Sequence, residues 1–312
     1  MSKQRVLVTG GCGFIGSHLV DKLVDLGYLV RVFDNLSSSK LANIEGHLDS
    51  GKVEFVMGDI REPRLIRPAL AGVDYVFHLA AQISVPLSVI DPSLTFDVNV
   101  SGTVHLLRLC YQIGVKKLIF SSSCAVYGDP YGLPVVEIEP NDPISPYAES
   151  KMAAEHFALG FFKTGLLKTV VLRFFNVFGP RQPLNDYSGV ITKYIDNSLQ
   201  GKPLLVYGEG NQTRDFICVY DVVDALVSCM KNQKANGEVF NIGSGKPTKI
   251  QYLANTIIEL TKSKSKIKNK PERKGDIKYS YADISKAKNL LGFESKVNLK
   301  DGLQGLIEES SK

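Results

Sequence analysis

The sequence predicts an α/β fold, a doubly wound parallel sheet with a smaller C-terminal α/β lobe. In the first half of the chain, six short apolar runs alternate with stretches whose apolar residues recur at helical spacing. Parallel strands need a crossover, which is normally a helix, so this alternation indicates a sheet covered on both faces. A glycine-rich turn follows the first run directly. The predicted strands are residues 5–9, 28–34, 52–57, 74–79, 117–121 and 168–174, and the predicted helices include 16–26, 92–113 and 146–163.

The pattern changes after about residue 176, where shorter strands and Gly or Pro turns surround predicted helices near 188–200, 222–231 and 250–262. We therefore divide the chain into residues 1–175, which form the first lobe, and residues 176–312, which form the second. A segment of about 216–242 is expected to return to the first lobe's sheet.

Composition excludes several classes of protein. With 312 residues, 44% of them hydrophobic, the chain can bury a large core, and it has no apolar run of 18 residues that would span a membrane. The five cysteines include no Cys-x-x-Cys pair, and the five histidines show no paired spacing. We therefore expect no disulfide framework, no metal site and no membrane partner, and a cytoplasmic location.

The positive charge is local. Residues 262–274 contain seven Lys or Arg and one acidic residue, whereas the whole chain carries a formal charge of +5. No aromatic residue lies in this segment to stack on bases, so a solvated surface is expected and no nucleic-acid partner is predicted.

The glycine-rich turn has the pattern of a dinucleotide site. Gly10, Gly13 and Gly16 fit G-x-x-G-x-x-G, and Gly11 with the last two fits G-x-G-x-x-G. Glycines let the backbone approach a pyrophosphate, which the helix N-terminus then binds. Asp34 ends the second strand, where it would accept hydrogen bonds from the adenosine ribose and repel a 2′-phosphate. A Rossmann-type site for NAD is therefore predicted.

Further motifs follow in order: residues 77–81 (Phe-His-Leu-Ala-Ala), Asn99, residues 121–128 (Ser-Ser-Ser-Cys-Ala-Val-Tyr-Gly), and Tyr147 with Lys151 four residues later. With the glycine turn, this set resembles the extended short-chain dehydrogenase/reductase family that modifies nucleotide sugars. The resemblance spans nearly the whole chain. It implies that Tyr147, Lys151 and Ser123 are catalytic. The cofactor site expected from the turn and the resemblance comprises Gly10, Gly13, Phe14, Ile15, Gly16, Asp34, Asn35, Asp59, Ile60, Leu79, Ala80, Ala81, Asn99, Ser121, Tyr147 and Lys151.

The chemistry of the Tyr147 and Lys151 pair is coherent. Residues i and i+4 share a helix face, so the Lys151 ammonium can lie near the phenol and bind the nicotinamide ribose. A tyrosine base needs its pKa lowered from about 10 towards 7, and Lys151, oxidised nicotinamide and the helix N-terminus all act in that direction. Ser145 and Pro146 fit an N-cap and first helical residue, which places Tyr147 in the first turn.

The resemblance also implies a UDP-sugar as substrate. Residues 172–179, 213–222 and 273–276 are similar to the family segments that hold the diphosphate and nucleoside. Paired guanidinium groups suit a pyrophosphate because they neutralise and orient it. The expected substrate residues are Ser123, Tyr147, Asn176, Val190, Arg214, Arg273, Asp276 and Ser280.

The favoured reaction is 4-epimerisation of a UDP-hexose. The alternatives are a 4,6-dehydratase, a UDP-uronate epimerase or decarboxylase, a nucleotide-sugar reductase, and a non-enzymatic NAD-sensing protein. Dehydratases of the family have an acidic residue after the catalytic Ser or Thr, whereas Cys124 and Ala125 follow Ser123 here. A small Ser280 in the sugar pocket is expected to admit N-acetyl groups. The family also implies a homodimer, with 92–113 and 146–163 as pairing helices.

Overall fold

A computed structural model of the chain describes residues 4–49, 51–184, 189–272 and 277–310. Its strands are β1 (Arg5–Thr9), β2 (Leu29–Asp34), β3 (Val53–Met57), β4 (Tyr75–His78), β5 (Lys117–Ser123), β6 (Thr169–Phe174), β7 (Asn176–Phe178), β8 (Leu204–Tyr207), β9 (Thr213–Cys218), β10 (Val239–Ile242), β11 (Pro247–Lys249) and β12 (Ile267–Lys270). Seven of them are parallel and form the main sheet, in the order β10-β6-β5-β4-β1-β2-β3.

Helices cover both faces of this sheet. The helices are α1 (Phe14–Asp25), α2 (Glu45–Leu48), α3 (Pro63–Ala69), α4 (Val85–Ile90), α5 (Pro92–Phe96), α6 (Gly102–Ile113), α7 (Pro146–Lys163), α8 (Val190–Leu199), α9 (Val219–Lys231), α10 (Ile250–Thr261), α11 (Ser285–Leu291) and α12 (Leu299–Ser310). The doubly wound fold predicted from the alternation of strands and helices is confirmed.

The strands are apolar on both faces because each face packs against helices. Val6 and Val8 join the cluster that includes Leu19 of α1 and Leu226 of α9, while Leu7 joins the cluster on the opposite face with α3, α6 and α7. This alternation follows from the two-residue period of a strand. All three β1 residues are fully buried, as expected for a central parallel strand.

The predicted helix over 92–113 is interrupted. Residues Pro92–Phe96 form α5, Asp97–Ser101 form a π-helical turn, and Gly102–Ile113 form α6. Side-chain periodicity does not reveal a single wide turn, which changes the hydrogen-bond partners of the backbone without ending the helix. Strand β5 also extends two residues beyond its predicted end, to Ser123.

The second half of the chain contributes to two regions. Strand β10 pairs with β6 at the edge of the main sheet, and α9 packs on α1. Residues 213–218 instead form β9 in a three-stranded sheet with β7 and β11. A third cluster joins α8, α10 and α12 around β8, β9 and β12. In the part of the chain described, no helix combines the length and apolar character needed to cross a bilayer.

Candidate active site

The candidate site lies at the carboxyl edge of the main sheet, where ligands bind in doubly wound folds. The turn between β1 and α1 is closely packed there. A Cβ on Gly10 would lie 2.7 Å from the Ala80 backbone nitrogen, and one on Gly16 would lie 2.1 Å from the Gly10 carbonyl oxygen. Gly10 also has φ +70°, which favours glycine. Gly13 is the N-cap of α1 and offers no side chain to its first-turn amides, which leaves them oriented to bind an anion.

Asp34 ties the end of β2 to this turn. Its Oδ2 accepts a hydrogen bond from the Cys12 amide at 3.0 Å, and its Oδ1 accepts from the Leu36 amide and the Ser39 hydroxyl. A carboxylate has about four acceptor sites, so ribose hydroxyls can still be bound beside these partners. The buried Asp34 side chain is held rigidly at the edge where the fingerprint requires an acid.

The Asp59 carboxylate is held by other protein groups. Arg61 donates to both its oxygens, and the Asn35 side chain donates to Oδ2 at 2.9 Å. The hydrogen bonds from Arg61 lower the pKa of Asp59, so it is an anion at any ordinary pH. This arrangement links the loops after β2 and β3. Ile60 is buried, and a Cβ on Gly102 would lie 2.7 Å from its side chain.

Residues 79–81 and Asn99 form the next part of the site. The Leu79 amide donates to the Thr9 carbonyl, and the Ala80 amide donates to the Thr9 hydroxyl, so this segment lies against the glycine turn. Asn99, in the π-helical turn, donates to the Gln82 carbonyl and the Ser150 hydroxyl. These two hydrogen bonds connect the π-helical turn to the loop after β4 and to helix α7.

A series of buried hydrogen bonds leads from β1 through His78 to the backbone of Asn99. His78 contacts the Thr9 hydroxyl at 2.7 Å and the Thr103 hydroxyl at 2.9 Å, and Thr103 donates to the Asn99 carbonyl. Because Thr103 gives its proton to Asn99, it must accept one from His78 Nε2. Burial lowers the pKa of His78 to about 3, with the Lys151 charge acting in the same direction, so the ring is neutral.

Tyr147 and Ser123 meet at the end of β5. Ser145 caps α7 by accepting a hydrogen bond from the Ala148 amide, and Pro146 opens the helix, so the predicted start of α7 is confirmed. Burial raises the pKa of the Tyr147 phenol to about 12, against a hydrogen bond with Ser123 that lowers it. Burial of the phenol therefore acts against the predicted lowering of its pKa.

Lys151 lies one helical turn beyond Tyr147 and is buried. Its ammonium sits 4.6 Å from the centre of the Phe120 ring on β5, a cation–π contact. Burial lowers the pKa of Lys151 to about 8, while Glu155 raises it. Ser121 is buried on the same strand as Phe120. The structure therefore brings Tyr147 to Ser123 and places Lys151 against β5, the strand that also carries Ser121.

The segments expected to hold a substrate approach this edge from the second half of the chain. Asn176 begins β7 and donates to the Asp215 carbonyl. Arg214 on β9 donates to the carbonyls of Thr213 and Ile277. Arg214 and Asp215 also act on the pKa of Cys124, the residue after Ser123, so they lie close to the end of β5.

Ser280 is buried between two isolated β-bridges, the second of which reaches the first lobe. Thr213 pairs with Tyr279 on one side of it, and Val135 pairs with Ala282 on the other. Val190 is the first residue of α8. The remaining expected substrate residues, Arg273 and Asp276, lie outside the described residues.

Two buried acids were missed by sequence reasoning. Glu155 pairs with Arg173 at 2.7 Å inside the sheet–helix interface. Asp215 accepts hydrogen bonds from the amides of Ser244, Gly245 and Ala282, which fastens three segments together. An available signal was the arginine at position 173 inside an otherwise apolar strand, since a buried charge needs a partner.

Among the described residues, no group of three or more His, Cys, Asp or Glu side chains is arranged so that it could hold a metal ion. Burial raises the pKa of the Cys124 thiol to about 12, so it is neither a thiolate nor a ready proton donor.

The family model described as GDP-mannose 4,6 dehydratase matches residues 7–306. The chain belongs to this family. It is the nucleotide-sugar branch of the extended short-chain dehydrogenases/reductases, as the motifs indicated. A relative named putative UDP-glucose 4-epimerase, from Methanocaldococcus jannaschii, is 39% identical over 97% of each chain. UDP-glucuronic acid decarboxylase 1 of Danio rerio is 38% identical over 99% of this chain and 73% of its own length.

Solved structures of the epimerase and dehydratase family superpose closely. The UDP-glucose 4-epimerase of Thermotoga maritima, solved with UDP-glucose, has a TM-score of 0.91 at 40% identity over 99% of both chains. The UDP-N-acetylglucosamine 4-epimerase of Methanobrevibacter ruminantium, solved with UDP-N-acetylmuramic acid, has a TM-score of 0.94 at 37% identity over 100% of both. The UDP-glucose 4-epimerase of Thermus thermophilus, solved with NAD, has a TM-score of 0.89 at 35% identity over 98% of both.

Proposed function

We propose that this chain is a UDP-hexose 4-epimerase that inverts C4 of the sugar through a 4-keto intermediate, with NAD as its bound cofactor. One observation supports this proposal above the others. The Tyr147 phenol is hydrogen-bonded to Ser123, and the buried Lys151 follows it one helical turn later. Both lie at the same sheet edge as the glycine turn, which has no room for a Cβ at Gly10 or Gly16. The fold and both solved UDP-glucose 4-epimerases above agree with it.

Each side chain has a defined task in this reaction. Bound NAD⁺ supplies the hydride chemistry, accepting the C4 hydride and later returning it. Tyr147 removes the proton of the C4 hydroxyl and gives it back, as a general base and then acid. Ser123 donates a hydrogen bond to the same oxygen, and Lys151 binds the nicotinamide ribose while favouring the phenolate. Asn176 and Arg214, with Arg273 and Asp276, hold the diphosphate and nucleoside while the sugar turns over.

Three UDP-sugars test the reaction. The purified protein is incubated separately with UDP-glucose, UDP-N-acetylglucosamine and UDP-glucuronate, and the C4 configuration of each product is read by proton NMR. We expect UDP-glucose to give a mixture with UDP-galactose and no net change in NADH. Recovery of all three substrates unchanged, by protein that carries NAD, would support a cofactor-sensing protein instead.

Decarboxylation of a UDP-uronate is the main rival, since relatives with that name are nearly as similar as the epimerases. The residues after Ser123 bear on a different rival, the 4,6-dehydratase, which needs an acid there to eliminate water from the sugar. Cys124 has a raised pKa and Ala125 has no ionisable group, so neither position supplies an acid beside the sugar. Release of CO₂ and UDP-xylose from UDP-glucuronate in the same NMR experiment would favour the rival.

The sugar pocket is proposed to accept N-acetyl groups because Ser280 is small. We expect Ser280→Tyr to lower kcat/KM for UDP-N-acetylglucosamine by about tenfold or more relative to UDP-glucose, since the ring would fill space the acetamido group needs. Ser280→Ala, which keeps the pocket open, should leave the ratio of the two substrates unchanged. Equal losses for both sugars in Ser280→Tyr would refute the gate.

A homodimer is also proposed, built on α5, α6 and α7. A groove of about 820 Å³ lies between α5, the π-helical turn and the first half of α7, and its lining includes Pro92, Phe96, Val100, Ile144 and Pro146. Large apolar side chains on α4, α5 and α7 are exposed, a pattern that marks interaction surfaces. They include Val89, Ile90, Phe96 and Phe157.

We also propose a cytoplasmic location, which the five free cysteines support.

The dimer predicts the effect of a charge on α7. Phe157, 47% exposed, should lie in the interface, so Phe157→Glu is expected to convert the dimer to monomer in sedimentation or light-scattering measurements. Tyr252→Glu on α10 is the matched control, because Tyr252 is also an exposed aromatic, at 58%, and lies on the second lobe. A parent protein that is already monomeric would refute the interface.

A further inference from the structure

The Glu155 carboxylate is fully buried at the contact of α7 with β5 and β6. Arg173 on β6 reaches it with Nη2 at 2.7 Å from Oε2 and with Nε at 3.1 Å from Oε1. The Ser122 hydroxyl on β5 donates to Oε1. One side chain of α7 is therefore hydrogen-bonded to both strands whose ends carry the active site.

Burying such a pair does not by itself stabilise a protein, because desolvation of the two charges offsets their attraction. Hydrophobic residues of similar size would fill the same space. Its position suggests a different use. Glu155 follows Lys151 by four residues on α7, so the two share a helix face, and Ser122 precedes Ser123 on β5.

We propose that Glu155 is a positioning residue, which fixes α7 on β5 and β6 and keeps a negative charge one turn below the Lys151 ammonium. This inference rests on the proposed function of Tyr147 and Lys151. Arg173 holds the carboxylate in place, while its own guanidinium is 4.7 Å from the Tyr127 ring. Without Glu155, the buried Lys151 would have the Phe120 ring beneath it and a second cation, Arg173, left uncompensated nearby.

The direction of the pKa shifts agrees with this geometry. Burial lowers the pKa of Lys151 to about 8, and Glu155 opposes that fall. The Lys151 charge acts on the pKa of His78 on β4. The elements packed against α7 carry further titratable groups, which are Cys124 and Tyr127 in the turn after β5, Arg173 on β6, Asp97 in the π-helical turn, and His105 and Arg108 on α6, while Tyr147 lies on α7 itself. Loss of Glu155 should let the Lys151 ammonium deprotonate at lower pH.

Glu155→Gln keeps the shape and removes the charge. We expect kcat to fall about tenfold to a hundredfold, and the alkaline limb of its pH profile to move down by about 1 pH unit. Glu155→Asp, which keeps the charge, should leave that limb in place even if kcat is lower. A uniform loss of kcat at every pH in Glu155→Gln would mean a structural role alone and would overturn the proposal.

A double variant covers the case in which Glu155→Gln does not fold. Glu155→Gln with Arg173→Gln removes both charges of the buried ion pair, so neither is left without the other, and the variant should unfold at a temperature close to that of the parent. Its alkaline limb should still be displaced, and a parent-like limb would contradict the proposal. NAD⁺ affinity measured against pH should show the same displacement without turnover. An inactive parent whose NAD⁺ affinity still shifts in this way would count against the epimerase, not against Glu155.

Discussion

Replacing Tyr147 by Phe is expected to lower kcat for UDP-glucose epimerisation by about 10²–10⁴-fold, the usual contribution of a general acid–base group. The change removes one oxygen from a side chain that is hydrogen-bonded to Ser123 at the end of β5. NAD⁺ affinity should stay within a few fold, because Lys151 and the glycine turn remain. Initial rates at saturating substrate, with bound NAD⁺ measured by its absorbance after denaturation, check both expectations.

The matched control for this variant is Tyr252→Phe. Tyr252 is exposed on α10, so loss of its hydroxyl should leave kcat and the thermal unfolding midpoint unchanged. Should Tyr147→Phe retain the parent's rate while Tyr252→Phe behaves as expected, another group would have to move the proton of the sugar hydroxyl.

Gly16→Ala should weaken cofactor binding strongly. The new Cβ would lie 2.1 Å from the Gly10 carbonyl oxygen and 2.8 Å from Gly11 Cα, so backbone atoms must move. Overpacking of this kind costs about 1–3 kcal/mol, and the displaced turn would no longer present its amides to a pyrophosphate. We expect NAD⁺ affinity, measured by calorimetry, to fall by about a hundredfold.

Gly160→Ala is the same kind of substitution, but we expect it to stabilise the protein. Gly160 lies inside α7, and a Cβ there would have no atom within 4 Å. Alanine restricts the unfolded chain and favours a helix, so the free energy of unfolding should rise by about 0.5–1 kcal/mol with NAD⁺ affinity unchanged. Equal NAD⁺ affinities of the two variants would show that the close contact at Gly16 does not control binding.

Much of this architecture is visible in the sequence because it depends on local rules. The start of α7 follows from Ser145 and Pro146, and the sheet follows from apolar runs alternating with helical spacing. The glycine turn is readable because its spacing reflects contacts between residues six positions apart, as between Gly10 and Gly16. These features were predicted, and the fold class and family they imply are confirmed.

Long-range contacts could not be predicted in the same way. Glu155 and Arg173 are 18 residues apart and meet because α7 crosses onto β6. Asp215 finds its partners at positions 244, 245 and 282, which are set by the packing of separate segments. The π-helical turn around Asn99 widens the helix over five residues without ending it, which is too short a change to be seen in the apolar pattern of the whole segment.

The central claim is that hydride leaves C4 and returns to the same carbon on the opposite face, within one active site. UDP-glucose labelled with deuterium at C4 tests it most directly, when the protein converts it in ordinary water and the UDP-galactose product is examined by mass spectrometry and proton NMR. The account predicts that the deuterium stays on C4 of the product. Loss of deuterium from C4 to solvent, or its transfer to a different carbon of the sugar, would contradict it.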